Sequence, residues 1–71
     1  MIQGTVVYFN VKKSYGFISW EINGEKQKDM FVHYSDINMN GFKTLKLNQK
    51  VCFDIGKNIK GLPKAINVTV I

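Results

Sequence analysis

The sequence predicts an all-β fold, a small five-stranded antiparallel β-barrel that is closed or nearly so. Short runs rich in β-branched and aromatic residues recur along the chain and alternate with a period of two. Polar, glycine-containing turns separate them, and one long connection lies between the third and fourth runs. No stretch reads as a helix of any length, and there is no internal repeat. Closure also removes the exposed sheet edges that a small all-β protein must otherwise protect.

The first strand covers residues 2–11. Its alternation breaks where Val6, Val7, Tyr8 and Phe9 run together. A bulge or strong coil there lets both Tyr8 and Phe9 reach one surface. The other reading, burial of the strand on both faces, has little room in so short a chain. Residues 10–14 make the first turn and set Lys12 and Lys13 beside this strand. The second strand runs over residues 15–21, and residues 22–28 form a polar hairpin loop. Asn23-Gly24 is its tight turn, because both residues tolerate positive φ.

The third strand spans residues 29–34, followed by an irregular connection over residues 35–49. In that connection Ser35 N-caps one helical turn and Ile37 returns to the core. Leu45 and Leu47 anchor the loop, Phe42 stands exposed, and Asn48 takes a left-handed turn. The fourth strand, residues 50–55, alternates cleanly, with Val51, Phe53 and Ile55 inward and Cys52 and Asp54 outward. A turn over residues 56–61 leads to the fifth strand, residues 64–71, with Ile66, Val68 and Val70 on one face.

Alternation also sorts the functional side chains. Tyr15, Phe17 and Ser19 share one face of the second strand, and Gly16, Ile18 and Trp20 share the other. In the third strand Phe31 and His33 oppose Met30, Val32 and Tyr34. Ile18, Met30 and Val32 are the natural core set, which turns Tyr15, Phe17, Phe31 and His33 outward. Rings grouped on adjacent strands and facing solvent mark a binding surface, and flat rings are what nucleobases stack on. Tyr34 has core-facing parity and is expected to be half buried at the strand end. Trp20 faces away from Phe17 and is expected to cover the end of the barrel beside the hairpin.

Seventy-one residues allow one domain, residues 1–71. Such a chain buries only about 60% of its unfolded surface, so it depends on its core. Cys52 is the single cysteine, which excludes an internal disulfide and gives no metal-binding spacing. No run of about 18 apolar residues and no charged-then-apolar leader is present, so neither a membrane span nor a signal peptide is expected. A reducing, cytoplasmic setting is the simplest reading.

All ten basic residues are lysines, and with five acidic residues the net charge is +5. Lysine is a point charge suited to phosphate, whereas arginine supplies the fork that reads guanine edges. Charge alone describes a soluble surface equally well; beside outward rings it points to a polyanion that carries bases. There are no paired carboxylates, no nucleophile beside a base and no phosphate-cradling glycine loop. An enzyme is therefore not expected, nor a cofactor, a metal or a small-molecule substrate.

Several ordered motifs resemble those of bacterial cold-shock proteins. Gly4-Thr-Val-Val-Tyr-Phe-Asn10 resembles the family's opening strand. Lys13-Ser-Tyr-Gly-Phe-Ile18 and Asp29-Met-Phe-Val-His-Tyr34 resemble its two ribonucleoprotein-type motifs. The similarity continues through residues 41–45, 49–53 and 63–68, and so covers nearly the whole chain.

The resemblance implies a five-stranded antiparallel β-barrel of the OB-fold, cold-shock-domain type. It implies binding of single-stranded DNA or RNA on the outer face and loosening of RNA secondary structure, often as an RNA chaperone. The family's stacking residues fall on Tyr8, Phe9, Tyr15, Phe17, Phe31, His33, Tyr34 and Phe42. Its basic contact in the first turn falls on Lys13, and its polar contacts fall on Asn10 and Asp29. Val7 stands where the family usually has lysine, Tyr8 where it has tryptophan, and Ser14 where it has glycine. The hairpin around residues 25–28 is longer than in compact members, and Leu62 is an extra residue before Pro63. A monomer is expected. The alternative is a translation-factor-type OB domain acting through ribosome or protein contacts.

Overall fold

A computed structural model describes all of residues 1–71. Chain order is β1 (Ile2–Asn10), β2 (Tyr15–Ile22), β3 (Glu25–Lys26), β4 (Met30–His33), a 3-10 turn (Tyr34–Asp36), β5 (Lys50–Lys57) and β6 (Pro63–Val70). β1 is central, pairing antiparallel with β2 on one edge and β5 on the other, and β5 pairs with β6. The far edge of β2 is shared: residues 15–18 pair with β4 and residues 21–22 with β3. The ring closes where β6 returns towards β4. Ile37 bridges to Val68, and the Asn38 N–H donates to the Val68 carbonyl at 2.7 Å. This is the expected all-β antiparallel barrel.

The sixth strand, β3, lies within the segment expected to be loop. Asn23 (φ 51°) and Gly24 (φ 84°) turn the chain, and both positive angles suit the tight turn that matches strand twist. That match keeps the ladder going for two more pairs, Ile22 with Glu25 and Glu21 with Lys26.

Ten apolar side chains form one core: Val6, Ile18, Met30, Val32, Ile37, Leu45, Val51, Phe53, Ala65 and Val68. Every main strand contributes, as does the long connection. Each fully buried Val or Ile stabilises the fold by about 1.5–3 kcal/mol. Gly16 allows β1 to coil over β2. A Cβ there would run into the Tyr8 carbonyl oxygen and meet the Phe9 ring at 2.6 Å.

Two bulges decide which residues face outward. In β1 the register slips between Val6 and Tyr8, because Val6 pairs with Ile18 and Tyr8 with Phe17. The extra residue is Val7, so Val7 and Tyr8 both face solvent and the next residue turns back. The bulge is where the broken alternation put it, but Phe9 does not join Tyr8. Phe9 lies opposite Gly16 and packs against the core.

In β6 the register slips again: Cys52 pairs with Thr69 and Asp54 with Ile66, so Phe53 faces both Asn67 and Val68. Asn67 absorbs the extra residue at φ 51°. The phase change puts Ala65 in the core and Ile66 outside, against the expectation from alternation. Val70 and Ile55 are both exposed, although their cross-strand partners Val51 and Ala65 are fully buried.

Three smaller expectations also change. Leu45 anchors the long connection but Leu47 is exposed. Backbone bonds hold that end instead, with Asn48 N–H donating to the Val6 carbonyl (2.8 Å) and Val6 N–H to the Gln49 carbonyl (2.9 Å). Tyr34 is exposed because the chain leaves strand geometry there and parity no longer applies. The helical turn does form, but its N-cap is His33 rather than Ser35.

Candidate nucleic-acid interface

Cross-strand pairing lays the outer face of β1, β2 and β4 out in rows. Asn10, Tyr15 and His33 form one row, and Tyr8, Phe17 and Phe31 the next. Tyr15 stacks on Phe31 with centroids 5.7 Å apart and planes at 23°. Phe17 meets Tyr15 and Phe31 edge-on, each at 6.0 Å. Tyr8 closes the group, 6.0 Å from Tyr15 and 6.2 Å from Phe17. These rings pack on one another yet keep their outer surfaces in water, Tyr8 being 42% exposed. Stacked and edge-on pairs fix ring orientation before any ligand arrives.

His33 extends the set at the end of β4. Its Nδ1 accepts from the Ser35 N–H at 3.3 Å and lies 2.9 Å from Ser35 Oγ. A backbone N–H can only donate, so in the neutral ring the proton sits on Nε2. The imidazole is thereby pinned to the turn, with its centroid 4.7 Å from that of Tyr34.

The first turn is organised by Asn10. Its Oδ1 accepts from the Lys13 N–H at 3.0 Å, and its Nδ2 donates to the Tyr8 hydroxyl at 3.2 Å. Ser14 takes φ 60°, and its carbonyl accepts from the Tyr34 N–H at 2.9 Å, tying this turn to the end of β4. Lys12 and Lys13 project from the turn into solvent. Lys64, 2.9 Å from Asp36, is the only lysine in an ion pair, so the others are free to meet anions.

The expected residues thus divide. The structure brings Tyr8, Tyr15, Phe17, Phe31 and His33 onto one face, with Tyr34 against His33 and Asn10 and Lys13 beside Tyr8. Phe42 is 72% exposed on the long connection and pairs with no other ring. Asp29 is exposed just before β4, at the mouth of a groove of about 410 Å³. Trp20, Met30, Phe31, Leu62 and Pro63 also line that groove. Sequence reasoning missed Leu62 as a lining residue, since no local pattern shows that the β5–β6 hairpin folds towards β4. Trp20 behaves as expected, its ring edge-on to Phe53 at 6.1 Å. Its Nε1–H also donates to the Lys28 carbonyl at 2.9 Å, pinning the hairpin to the barrel end.

Comparison with known proteins agrees with this geometry. Residues 2–71 match the family model described as the 'Cold-shock' DNA-binding domain. The "Major cold shock protein" of Streptococcus pyogenes serotype M1 is 52% identical over 69 residues, covering 97% of this chain and 96% of that protein. The "Cold shock protein" of Arthrobacter globiformis is 48% identical over 71 residues and full length in both. The "Cold shock-like protein" of Aquifex aeolicus (strain VF5) is 49% identical over 69 residues, covering 97% of this chain and 93% of that protein. With the barrel, its ring-bearing outer face and a match spanning all but the first residue, the chain belongs to the cold-shock domain family.

Proposed function

We propose that this chain binds single-stranded DNA and RNA by stacking bases on Tyr8, Tyr15, Phe17, Phe31 and His33, while Lys13 and neighbouring lysines meet phosphates. The observation that carries the reading is the contiguous ring set, held 5.7–6.2 Å apart on one outer face. Tyr34, against His33, continues the stacking surface, and Phe42 offers a further exposed ring from the long connection. Asn10 holds the turn that presents Lys13, and Asp29 accepts from a base amine. Phe9, on the core side, supports the platform. Weakly selective stacking suits an RNA chaperone that keeps strands open during stress, acting as a cytoplasmic monomer in transcription or translation and without a catalytic step.

Titration with DNA and RNA oligomers of matched sequence, and with duplex DNA, tests the reading. Single strands should bind far more tightly, because duplex bases are not free to stack; equal affinity for duplex would sink it. A protein-docking barrel is the second reading, favoured by Leu62 (58% exposed) and Ile59 (102%) on the β5–β6 hairpin. Failure to bind a bare oligopyrimidine would select it.

A further inference from the structure

The outer face does not end with its aromatic rows. The next outward row holds Lys50, Thr5 and Ser19, paired side by side across β5, β1 and β2. Beyond it Gln3 and Glu21 project the same way, and Lys26 of β3 pairs with Glu21. These side chains line a groove of about 500 Å³, larger than the groove beside Phe31. Lys50 is already positioned, since its Nζ donates to Thr5 Oγ1 at 2.8 Å. That bond leaves the threonine O–H as a free donor. Lys26 approaches from the hairpin on the other side, and the two lysines outnumber the one carboxylate, Glu21.

We propose that this groove is a second segment of the nucleic-acid site, one that holds the sugar-phosphate backbone of a strand running off the aromatic platform past Ser19. The assignment rests on the single-strand reading above. It follows from the change of chemistry along one continuous face. Rings suit bases, whereas two ammonium groups and a hydroxyl donor, with no ring but Trp20 at the margin, suit phosphodiester oxygens. The occupant is therefore the same polyanion, held there without base selectivity.

The test compares two oligothymidines, one of about four nucleotides that covers the platform and one of about ten that overruns it. Both are titrated against the wild-type chain, against Lys26→Gln/Lys50→Gln, and against a charge-matched control, Lys46→Gln/Lys57→Gln. Thermal unfolding shows that each variant is folded. Lys26→Gln alone serves as a second variant, because the Lys26 side chain makes no hydrogen bond whose loss could disturb the fold. The groove variant should bind the short oligomer as wild type does and the long one about tenfold more weakly at ~0.1 M salt. Its log K against log salt slope for the long oligomer should be shallower by about 1.4, or 0.7 per lost lysine. Lys26→Gln should give about half that change in slope, and the control should move both lengths alike. Equal losses on both lengths, or none on the long one, would overturn the proposal. If the wild type binds neither oligomer, the platform reading fails first and the groove assignment with it.

Discussion

The outer face of β1, β2 and β4 and the outer face of β5 and β6 cover the same core, yet they treat their polar and aromatic groups differently. On β5 and β6 several outward groups are already partnered within the protein. Asn67 Nδ2 donates to Asp54 Oδ2 at 3.4 Å, Lys64 pairs with Asp36 at 2.9 Å, and no ring is present. On β1, β2 and β4 the rings touch only each other, and the lysines of the first turn have no acidic partner. A face whose groups are paired internally has little left to offer a ligand. A face of preorganised rings beside free cations leaves its interactions to be completed from outside. Function in this barrel lies in which outer face is left unfinished, and the fold itself does not choose.

Truncating the shared core should abolish both faces at once. Ile18→Ala removes a fully buried side chain beneath them and should lower stability by about 2–5 kcal/mol in urea unfolding. Truncations on the two faces should then separate. Phe31→Ala should cost about 1–3 kcal/mol of affinity for oligothymidine while the chain stays folded. Thr69→Ala on the far face should leave affinity unchanged. If both lower affinity equally, the contrast between the faces is wrong.

Two of the positive-φ residues, Ser14 and Asn67, give smaller effects. Ser14→Gly should raise the unfolding midpoint slightly, since the left-handed region costs a non-glycine residue about 1 kcal/mol. Asn67→Ala should lower stability by a similar amount with no change in binding, because its bulge shapes only the far face. Trp20 offers a spectroscopic check. Packed edge-on to Phe53, its fluorescence should follow unfolding closely and oligothymidine binding weakly. Strong quenching that tracks saturation and survives Tyr8→Phe would extend the binding surface to the barrel end.

Local alternation made most of the platform readable. Residues 15–20 and 30–33 alternate without interruption, so the inward set of Ile18, Met30 and Val32 left Tyr15, Phe17, Phe31 and His33 only one direction to point. Where the pattern broke visibly, at Val6 to Phe9, a bulge was legible, though not that Val7 rather than Phe9 would be its outward partner. The bulge at Asn67 left no such mark. It sits inside an apparently regular run, and only the register against β5 shows that Ile66 and Val70 fall out of phase. The pairing of Lys50 with Thr5 spans 45 residues and could not be read locally at all. His33 as a cap was hidden for a related reason: serine is the stronger N-cap by habit, but here the chain turns two residues earlier.

The central claim, that bases stacking on the outer face of β1, β2 and β4 supply most of the affinity, is tested most directly by removing the bases and keeping the phosphates. Oligothymidine and a base-free deoxyribose-phosphate oligomer of equal length would be titrated against the same protein at ~0.1 M salt. Stacking contributes about 1–3 kcal/mol per base, so several lost bases should weaken binding by about a hundredfold or more. Equal affinity for the two oligomers would show that the lysines bind the backbone and that the rings are not the site.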